Sequence, residues 1–207
     1  MGKALLGVLV ALLGHGAAMA QDISRAESWG AVARPAPGPV RIIGSTGLGC
    51  IAGAVELPDQ GPGWQSVRVS RNRHWGHPSM VAWVEAFAGR ARAMGLPDLW
   101  IGDLSQPRGG PMTFGHASHQ AGIDADIWLD LNPKPLVPAA QRERIPEVSL
   151  VLPDGSGVDP AHFTERHVAL IRLAAQMPGL DRLLVNPAIK QELCRRHHGE
   201  AWLRRVP

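Results

Sequence analysis

Apolar residues recur at helical spacing in three parts of the chain. Across Pro78–Met94 they follow one another at intervals of four, three, four and three residues, and Gly95 then supplies a helix stop. A second helix is predicted over Phe163–Gln176. A third is predicted over about Pro187–Arg196 with Asn186 as its N-cap, because asparagine followed by proline is a typical helix start.

A different pattern, strict alternation of apolar and polar residues, runs through Gly122–Leu131 and predicts a strand with two unlike faces. One face is apolar, and the other carries Asp124, Asp126, Trp128 and Asp130. Shorter strands are predicted over Val67–Val69, Asp98–Leu104 and Arg182–Asn186. Because helices and strands do not alternate as in parallel α/β proteins, we expect an α+β fold with a small antiparallel sheet and flanking helices.

The first 40 residues differ from the rest of the chain. Met1–Ala20 combines Lys3, an apolar core and the small-residue pattern Ala18-Met19-Ala20, which is typical of a secretory signal peptide. The apolar core is too short to span a bilayer, which disfavours the alternative of a retained anchor. Residues 21–40 contain a Pro-rich stretch and are interpreted as an extended leader. We therefore expect an exported protein with one domain over residues 41–207 and no membrane attachment after signal cleavage.

Charge and cysteine content narrow the range of partners. The 207 residues carry a formal net charge of +3, which becomes +2 when Lys3 is removed with the signal. The charges are scattered, without basic blocks interleaved with aromatic residues, so a nucleic-acid partner is not expected. Cys50 and Cys194 are the two cysteines, and their even number permits one disulfide in an oxidising compartment without establishing it.

The segment Gly115–Trp128 carries the most specific candidate chemistry. His119 lies seven residues before Asp126, which belongs to the alternating run. Catalytic zinc takes imidazole and carboxylate ligands, uses three protein ligands and keeps one position open for water. The spacing therefore suits a zinc cleft beside the sheet, with this histidine and aspartate among the ligands.

A third zinc ligand is not evident in the sequence. His197 and His198 are adjacent, and exposed paired histidines usually bind only adventitious metal. His162 and His167 flank the start of the second predicted helix and are interpreted as surface or capping residues. With two protein ligands alone, zinc is expected to be held weakly.

The same residues carry a resemblance to a known family. The run from His116 to Ile127, HASHQAGIDADI, resembles the signature of the penicillin-insensitive murein endopeptidases, zinc peptidases related to lysostaphin-type enzymes and D-Ala-D-Ala peptidases. Further blocks match in the same order between Ile43 and Pro207, namely residues 71–78, 101–104, 107–110, 185–191, 193–194 and 202–206. Several separate blocks in one order make the resemblance specific.

The resemblance implies a periplasmic zinc protease that hydrolyses the D-alanyl–meso-diaminopimelyl cross-links of peptidoglycan. His119 and Asp126 would be zinc ligands, and the third ligand would come from a His-x-His pair near the C-terminus of the family. The first histidine of that pair would be the general base. In the family this pair follows the equivalent of Val206-Pro207, so we expect the chain to lack a C-terminal segment and identify no catalytic base within it. Because no serine is acylated, penicillin would not inhibit the reaction.

Three further residues are candidates for accessory roles at the metal site. In the family, His116 would join an accessory metal site with an Asp-Gly-x-His segment. Asp154 matches the first residue of that segment, but Gly157 stands where its histidine would be. Asp124 shares a face with Asp126, so it is expected either to orient a histidine ligand by hydrogen bonding or to be a solvated strand carboxylate.

A cationic segment before the first long helix is a candidate for substrate binding. Arg71, Arg73 and His77 can grip the carboxylates of a peptide substrate, since arginine forms paired hydrogen bonds with carboxylates. The alternative is a corner between a strand and a helix with a purely structural role.

Two functions other than an endopeptidase are also compatible with the sequence. The first alternative to an endopeptidase is an inactive, truncated remnant that binds peptidoglycan without a third zinc ligand. The second is the same zinc chemistry used as a carboxypeptidase.

The resemblance also implies downstream cysteine partners for Cys50 and Cys194, which favours two unpaired thiols over a bridge between them.

Overall fold

The computed structural model describes residues 23–114 and 116–207. The predicted signal peptide, residues 1–20, lies outside these ranges. Within them, helix α1 covers residues 23–30, inside the predicted leader, and it is followed by α2 (Pro78–Ala93), α3 (Ala139–Arg142), α4 (Glu165–Gln176) and α5 (Pro187–His197). Among the described helices, none is both long enough and apolar enough to cross a membrane.

The strands of the described residues form three small sheets. They are β1 (Arg41–Gly44), β2 (Gly49–Ala52), β3 (Val55–Glu56), β4 (Gln60–Gly61), β5 (Trp64–Ser66), β6 (Trp75–Gly76), β7 (Leu99–Ile101) and β8 (Ile127–Trp128). The strands β1 and β2 pair antiparallel, as do β3 and β6. The main sheet has the order β4-β5-β7-β8, in which only the central β5–β7 pair is parallel. Helices combined with small, mainly antiparallel sheets confirm the predicted α+β fold.

The three helix predictions are confirmed, with ends shifted by no more than two residues. Helix α2 begins after His77, whose Nδ1 accepts the N–H of Ser79 (3.2 Å), and it ends before Gly95, which has a φ of 77°. Helix α5 begins after Asn186, whose side-chain oxygen accepts the N–H of Ala188 (2.9 Å). Local capping chemistry therefore fixes where these helices start and stop.

Two strand predictions are wrong. The strand expected over Val67–Val69 lies instead at β5, because Arg68 takes a left-handed φ of 56° and is followed by a 3₁₀ turn over Val69–Arg71. The segment Arg182–Asn186 forms no strand within the described structure. The N–H of Leu183 donates to the carbonyl of Arg205 (2.6 Å), in the 3₁₀ turn Ala201–Arg205, rather than to another strand.

Two further strands are shorter than expected. The segment Asp98–Leu104 is extended only at β7, and Gly122–Leu131 only at β8. The two strands are partners, so the short ladder of one limits the other. The predicted alternation still holds locally, because Ile127 packs against the core while Trp128 lies at a cleft.

Two buried clusters hold these elements together. The larger one packs α2 against the main sheet and α4, with Phe87, Leu99 and Leu170 almost fully buried. The second joins α4, α5 and the turn Ala201–Arg205 around Leu193 and Val206. Burying one such side chain contributes roughly 1.5–3 kcal/mol. Strand β7, which leads into the candidate site, is thus anchored in the larger core.

The two cysteines lie on different elements. In the described structure Cys50, in β2, and Cys194, in α5, are free thiols, and each is half-buried. The described structure thus agrees with two unpaired thiols rather than a bridge between Cys50 and Cys194.

His167 gives the fold a pH-dependent contribution to stability. Its Nδ1 accepts the N–H of Thr164 (3.0 Å) and its Nε2 donates to the carbonyl of Leu129 (2.9 Å), an arrangement that requires the neutral ring. Burial lowers the pKa of His167 below its ordinary value of 6.5, although the hydrogen bond that the ring donates to the carbonyl of Leu129 opposes the change. Because the unfolded chain binds this proton more readily, the free energy of unfolding falls as the pH drops below about 6.5.

Replacing His167 with glutamine should remove this part of the pH dependence, since glutamine at the third helical position can still accept the N–H of Thr164. Urea unfolding is measured from about pH 7.5 to about pH 5, a range that brackets the ordinary histidine pKa. We expect His167→Gln to lose less stability over this range than the unmodified protein. The control is His162→Gln, at an exposed histidine. Equal losses in the His167→Gln variant and the unmodified protein would contradict the assignment.

Candidate metal centre

Asp103 and Asp126 lie side by side where β7 ends and β8 begins. The N–H of Asp126 donates to the carbonyl of Asp103 (2.9 Å), and the N–H of Gly102 donates to the carbonyl of Asp126 (2.8 Å). A Cβ at Gly102 would lie only 3.1 Å from the Cβ of Asp126. The absence of a side chain at Gly102 therefore leaves room for the Cβ of Asp126 beside the sheet.

His119 points a ring nitrogen at Asp126. Its backbone has a left-handed φ of 65°, and its N–H donates to Oδ2 of Asp124 (2.8 Å). The buried ring donates Nδ1–H to the carbonyl of Leu104 (2.6 Å), since a carbonyl can only accept. Nε2 is left facing Oδ1 of Asp126 at 3.2 Å. Backbone and ring contacts together aim this nitrogen at the carboxylate.

His116 completes a cluster of three potential metal ligands. Its Nε2 lies 2.9 Å from Oδ2 of Asp103, and its Nδ1 lies 3.8 Å from Oδ2 of Asp126. The rings of His116 and His119 meet edge to face with their centroids 4.8 Å apart. One donor atom from each of His116, His119 and Asp126 lies within 4.8 Å of the others, the only such group among the described residues.

The donor set and its electrostatics fit a divalent cation. Two imidazoles and one carboxylate are ligands that zinc uses in catalytic sites. Burial lowers the pKa of His119, but the hydrogen bond with Asp126 and the charges of Asp126 and Asp124 outweigh burial, so its pKa lies above the ordinary value of 6.5. The negative field that favours a proton on this ring also favours a metal cation next to it.

Asp103 connects the cluster to two arginines. Its Oδ2 accepts from Nη1 of Arg73 at 3.0 Å and from Nη1 of Arg71 at 3.5 Å, in addition to Nε2 of His116. Asp103 and Arg73 are 5% and 6% exposed, so their ion pair is buried. Because Asp103 accepts from Nε2–H of His116, Nδ1 of that ring keeps its lone pair on the side of Asp126.

An open cleft of about 240 Å³ lies in front of the cluster. The side chain of Asp126 is 43% exposed and is therefore accessible from it. Phe114 packs at the cleft with Arg71 at 5.4 Å and Arg73 at 4.6 Å from its ring centroid. The residues that line the cleft are Arg68, Arg71, Gly102, Asp103, Phe114, His116, Asp126, Trp128 and Glu147.

The structure separates the three residues expected to bind substrate. Arg71 lines the cleft, whereas Arg73 lies behind it in the ion pair with Asp103. His77 lies at the start of α2, where its ring caps the helix and contacts the hydroxyl of Ser79 (2.7 Å). Of the three, Arg71 is thus the one that the cleft brings next to the cluster.

The remaining expected residues also differ in position. Asp124 accepts the backbone N–H of His119, whereas the ring N–H of His119 goes to Leu104, and the buried Oδ1 of Asp124 has no partner among the described residues. Asp154 lies in an exposed turn, where Oδ1 accepts from the N–H (3.0 Å) and hydroxyl (2.7 Å) of Ser156. The structure therefore places Asp154 outside the cluster of His116, His119 and Asp126.

The other histidines considered as a third ligand have local partners. His162 pairs with Asp159 (2.9 Å) on the surface. His197 pairs with Glu200 (2.9 Å) beside Arg172, at the end of α5. In the described residues the third donor next to His119 and Asp126 is His116.

Sequence reasoning missed Asp103, Arg68 and Glu147 as site residues. Asp103 had a recognisable signal, since it is an acidic residue two positions after the apolar run Leu99–Ile101. Glu147 is far from the other cleft residues in sequence, and only the tertiary fold brings it to Arg68.

Comparisons with known proteins assign the chain to one family. The family model described as penicillin-insensitive murein endopeptidase matches residues 42–207. A protein of that name from Haemophilus influenzae is 41% identical over 192 residues, covering 86% of this chain and 63% of the relative. One from Salmonella heidelberg is 41% identical over 182 residues, covering 87% of this chain and 66% of the relative. The chain thus spans just under two thirds of the length of these curated relatives.

Proposed function

The chain belongs to the penicillin-insensitive murein endopeptidase family, and we propose that it is a zinc endopeptidase that hydrolyses D-alanyl–meso-diaminopimelyl cross-links of peptidoglycan. The observation that carries the proposal is the cluster of His116, His119 and Asp126 at an open cleft. It lies within the part of the chain that the family model matches. Murein as the substrate comes from the names of the relatives.

His119 and Asp126 are the proposed metal ligands, with His116 as the third donor. Zinc held there would act as a Lewis acid toward the scissile carbonyl and lower the pKa of a bound water. The carbonyl of Leu104 and the carboxylate of Asp103 each hold one imidazole by its far nitrogen. Both rings are therefore oriented with one nitrogen free for the metal, which improves ligand placement.

The proton transfers need an additional imidazole in this proposal. A general base takes a proton from the attacking water and returns it to the leaving amine. We assign this role to the first histidine of the His-x-His pair that the family resemblance implies. Since water attacks directly and no serine is acylated, β-lactams have no nucleophile to trap. A cell-wall substrate also places the protein in the periplasm, in keeping with the predicted signal peptide.

Digestion of purified cross-linked muropeptide dimers tests the proposal. We expect monomers identified by mass spectrometry, with cleavage at the D-alanyl–diaminopimelyl bond. Chelation should abolish cleavage, since the chemistry depends on the metal, and stoichiometric zinc should restore it. Benzylpenicillin should have no effect on the rate.

Two other experimental outcomes would contradict an endopeptidase. Release of terminal D-alanine without conversion of dimers would show a carboxypeptidase. Sedimentation of the protein with sacculi, without any cleavage after zinc addition, would show a wall-binding remnant. A serine D,D-peptidase serves as the control, because penicillin inhibits it while chelation does not.

A further inference from the structure

Arg68 is a cleft residue with no role in the metal cluster. Its backbone has φ 56° and ψ 35°, a region that residues with side chains seldom occupy. Its guanidinium carbon lies 4.9 Å from the centroid of the Trp128 ring, and its Nη1 lies 3.1 Å from Oε1 of Glu147. The unusual backbone thus places a stacked guanidinium at the cleft. Backbone strain of this kind is common at ligand-binding sites.

The three arginines near the cleft are not equally available to a ligand. Arg73 is 6% exposed and is paired with the equally buried Asp103. Arg71 lines the cleft with 29% of its side chain exposed, and its contact with Asp103 is the longer one at 3.5 Å. Arg68 has 27% exposed and pairs with a carboxylate that is itself 64% exposed. Arg68 and Arg71 are therefore the cations that a ligand can reach.

The charges at the cleft leave an excess of positive charge once the buried pairs are accounted for. The ion pair with Arg73 compensates Asp103, and a bound cation would compensate Asp126. Glu147 is then the carboxylate that remains at the cleft. It pairs with Arg68 and is itself exposed, so this ion pair is weak and readily exchanged, while Arg71 has only its longer contact with Asp103. A carboxylate of the substrate can replace Glu147 as the partner of Arg68, because guanidinium matches carboxylate geometry with two parallel hydrogen bonds.

We propose that Arg68 and Arg71 form a carboxylate subsite of the cleft and that Glu147 is its exchangeable counter-ion. The inference rests on the proposed function for its ligand. In a D-alanyl–diaminopimelyl cross-link, the residue that supplies the scissile amide nitrogen carries a free α-carboxylate on the adjacent carbon. Arg68 and Arg71 bind this group, and the subsite selects a free carboxylate over its amide.

Equilibrium binding tests the subsite without requiring hydrolysis. The probe is a cross-linked dimer in which a ketomethylene group replaces the scissile amide, so that it cannot be hydrolysed. It is compared with the same dimer carrying a carboxamide in place of the α-carboxylate, and each is titrated calorimetrically into the zinc-loaded protein. We expect the free carboxylate to bind roughly 10–100-fold more tightly, as for a hydrogen bond to a charged group. Arg68→Ala should abolish that preference, Arg68→Lys should keep part of it, and Glu147→Gln should strengthen binding of the free carboxylate. Arg182→Ala, at an exposed pair with Asp181, is the control.

The two hydrolysable dimers that correspond to these probes separate this inference from the proposed function in kinetics. With zinc present, Arg68→Ala should raise KM for the free carboxylate much more than KM for the amide, and so remove the difference between the two substrates. Equal losses on both substrates, or weaker binding by Glu147→Gln, would overturn the subsite while the endopeptidase stands. Preferential binding of the free carboxylate without cleavage of either dimer would support the subsite and contradict the endopeptidase.

Discussion

Replacing His119 with asparagine is expected to reduce zinc affinity by at least roughly 100-fold and kcat/KM by about 10³-fold. Loss of groups that only orient a ligand already costs about 10–100-fold in metal affinity, and the metal supplies several kcal/mol of transition-state stabilisation. We choose asparagine because it tolerates the left-handed backbone found at His119, where φ is 65°, and so removes the imidazole without straining the chain. The variant should therefore fold while losing the ring nitrogen that faces Asp126.

The matched control for this variant is His162→Asn. His162 is exposed, pairs with Asp159 and lies away from the cleft. Zinc affinity is measured by competition with a chromophoric chelator, and cleavage by chromatography of muropeptide dimers. We expect the control to match the unmodified protein in both assays. Undiminished zinc affinity in His119→Asn would remove His119 from the metal site.

Replacing Asp103 with alanine is expected to destabilise the fold by about 3–5 kcal/mol. The substitution leaves the buried guanidinium of Arg73 without its carboxylate, and uncompensated buried charges cost that much. For a domain of this size the melting temperature should fall by about 10 °C. His116 also loses the partner of its Nε2, so zinc affinity should fall as well.

An exposed ion pair provides the comparison for Asp103→Ala. Asp181 and Arg182 are 83% and 67% exposed at 2.8 Å, and such pairs contribute about 0–1 kcal/mol. Asp181→Ala should therefore shift the melting temperature by no more than a few degrees. Calorimetry of both variants, with and without zinc, separates the loss of stability from the loss of metal. Similar melting temperatures for the two variants would contradict a structural role for the Asp103 network.

Features that depend on nearby residues were predictable from the sequence. The capped ends of α2 and α5 follow from His77-Pro78, Gly95 and Asn186-Pro187, since caps act within one turn. The pairing of His119 with Asp126 was also predictable as a metal-ligand spacing, and the structure brings their side chains to 3.2 Å.

Features that depend on tertiary contacts were not predictable. The left-handed backbone of Arg68 ends the strand expected over Val67–Val69, and nothing in the local sequence signals it. Asp103 is important because Arg73 and His116 converge on one carboxylate oxygen from different segments. Alternation over Gly122–Leu131 predicted a long strand, but a strand extends only as far as its partner, and β7 is three residues long.

Anomalous diffraction at the zinc absorption edge tests the central claim most directly. Crystals grown with one equivalent of zinc should show one strong peak at coordination distance, about 2.0–2.2 Å, from Nε2 of His119 and a carboxylate oxygen of Asp126. A peak at that position, absent from chelated crystals, is the expected result. A zinc peak elsewhere, with these two side chains unliganded, would contradict the assignment of the cleft as a metal centre.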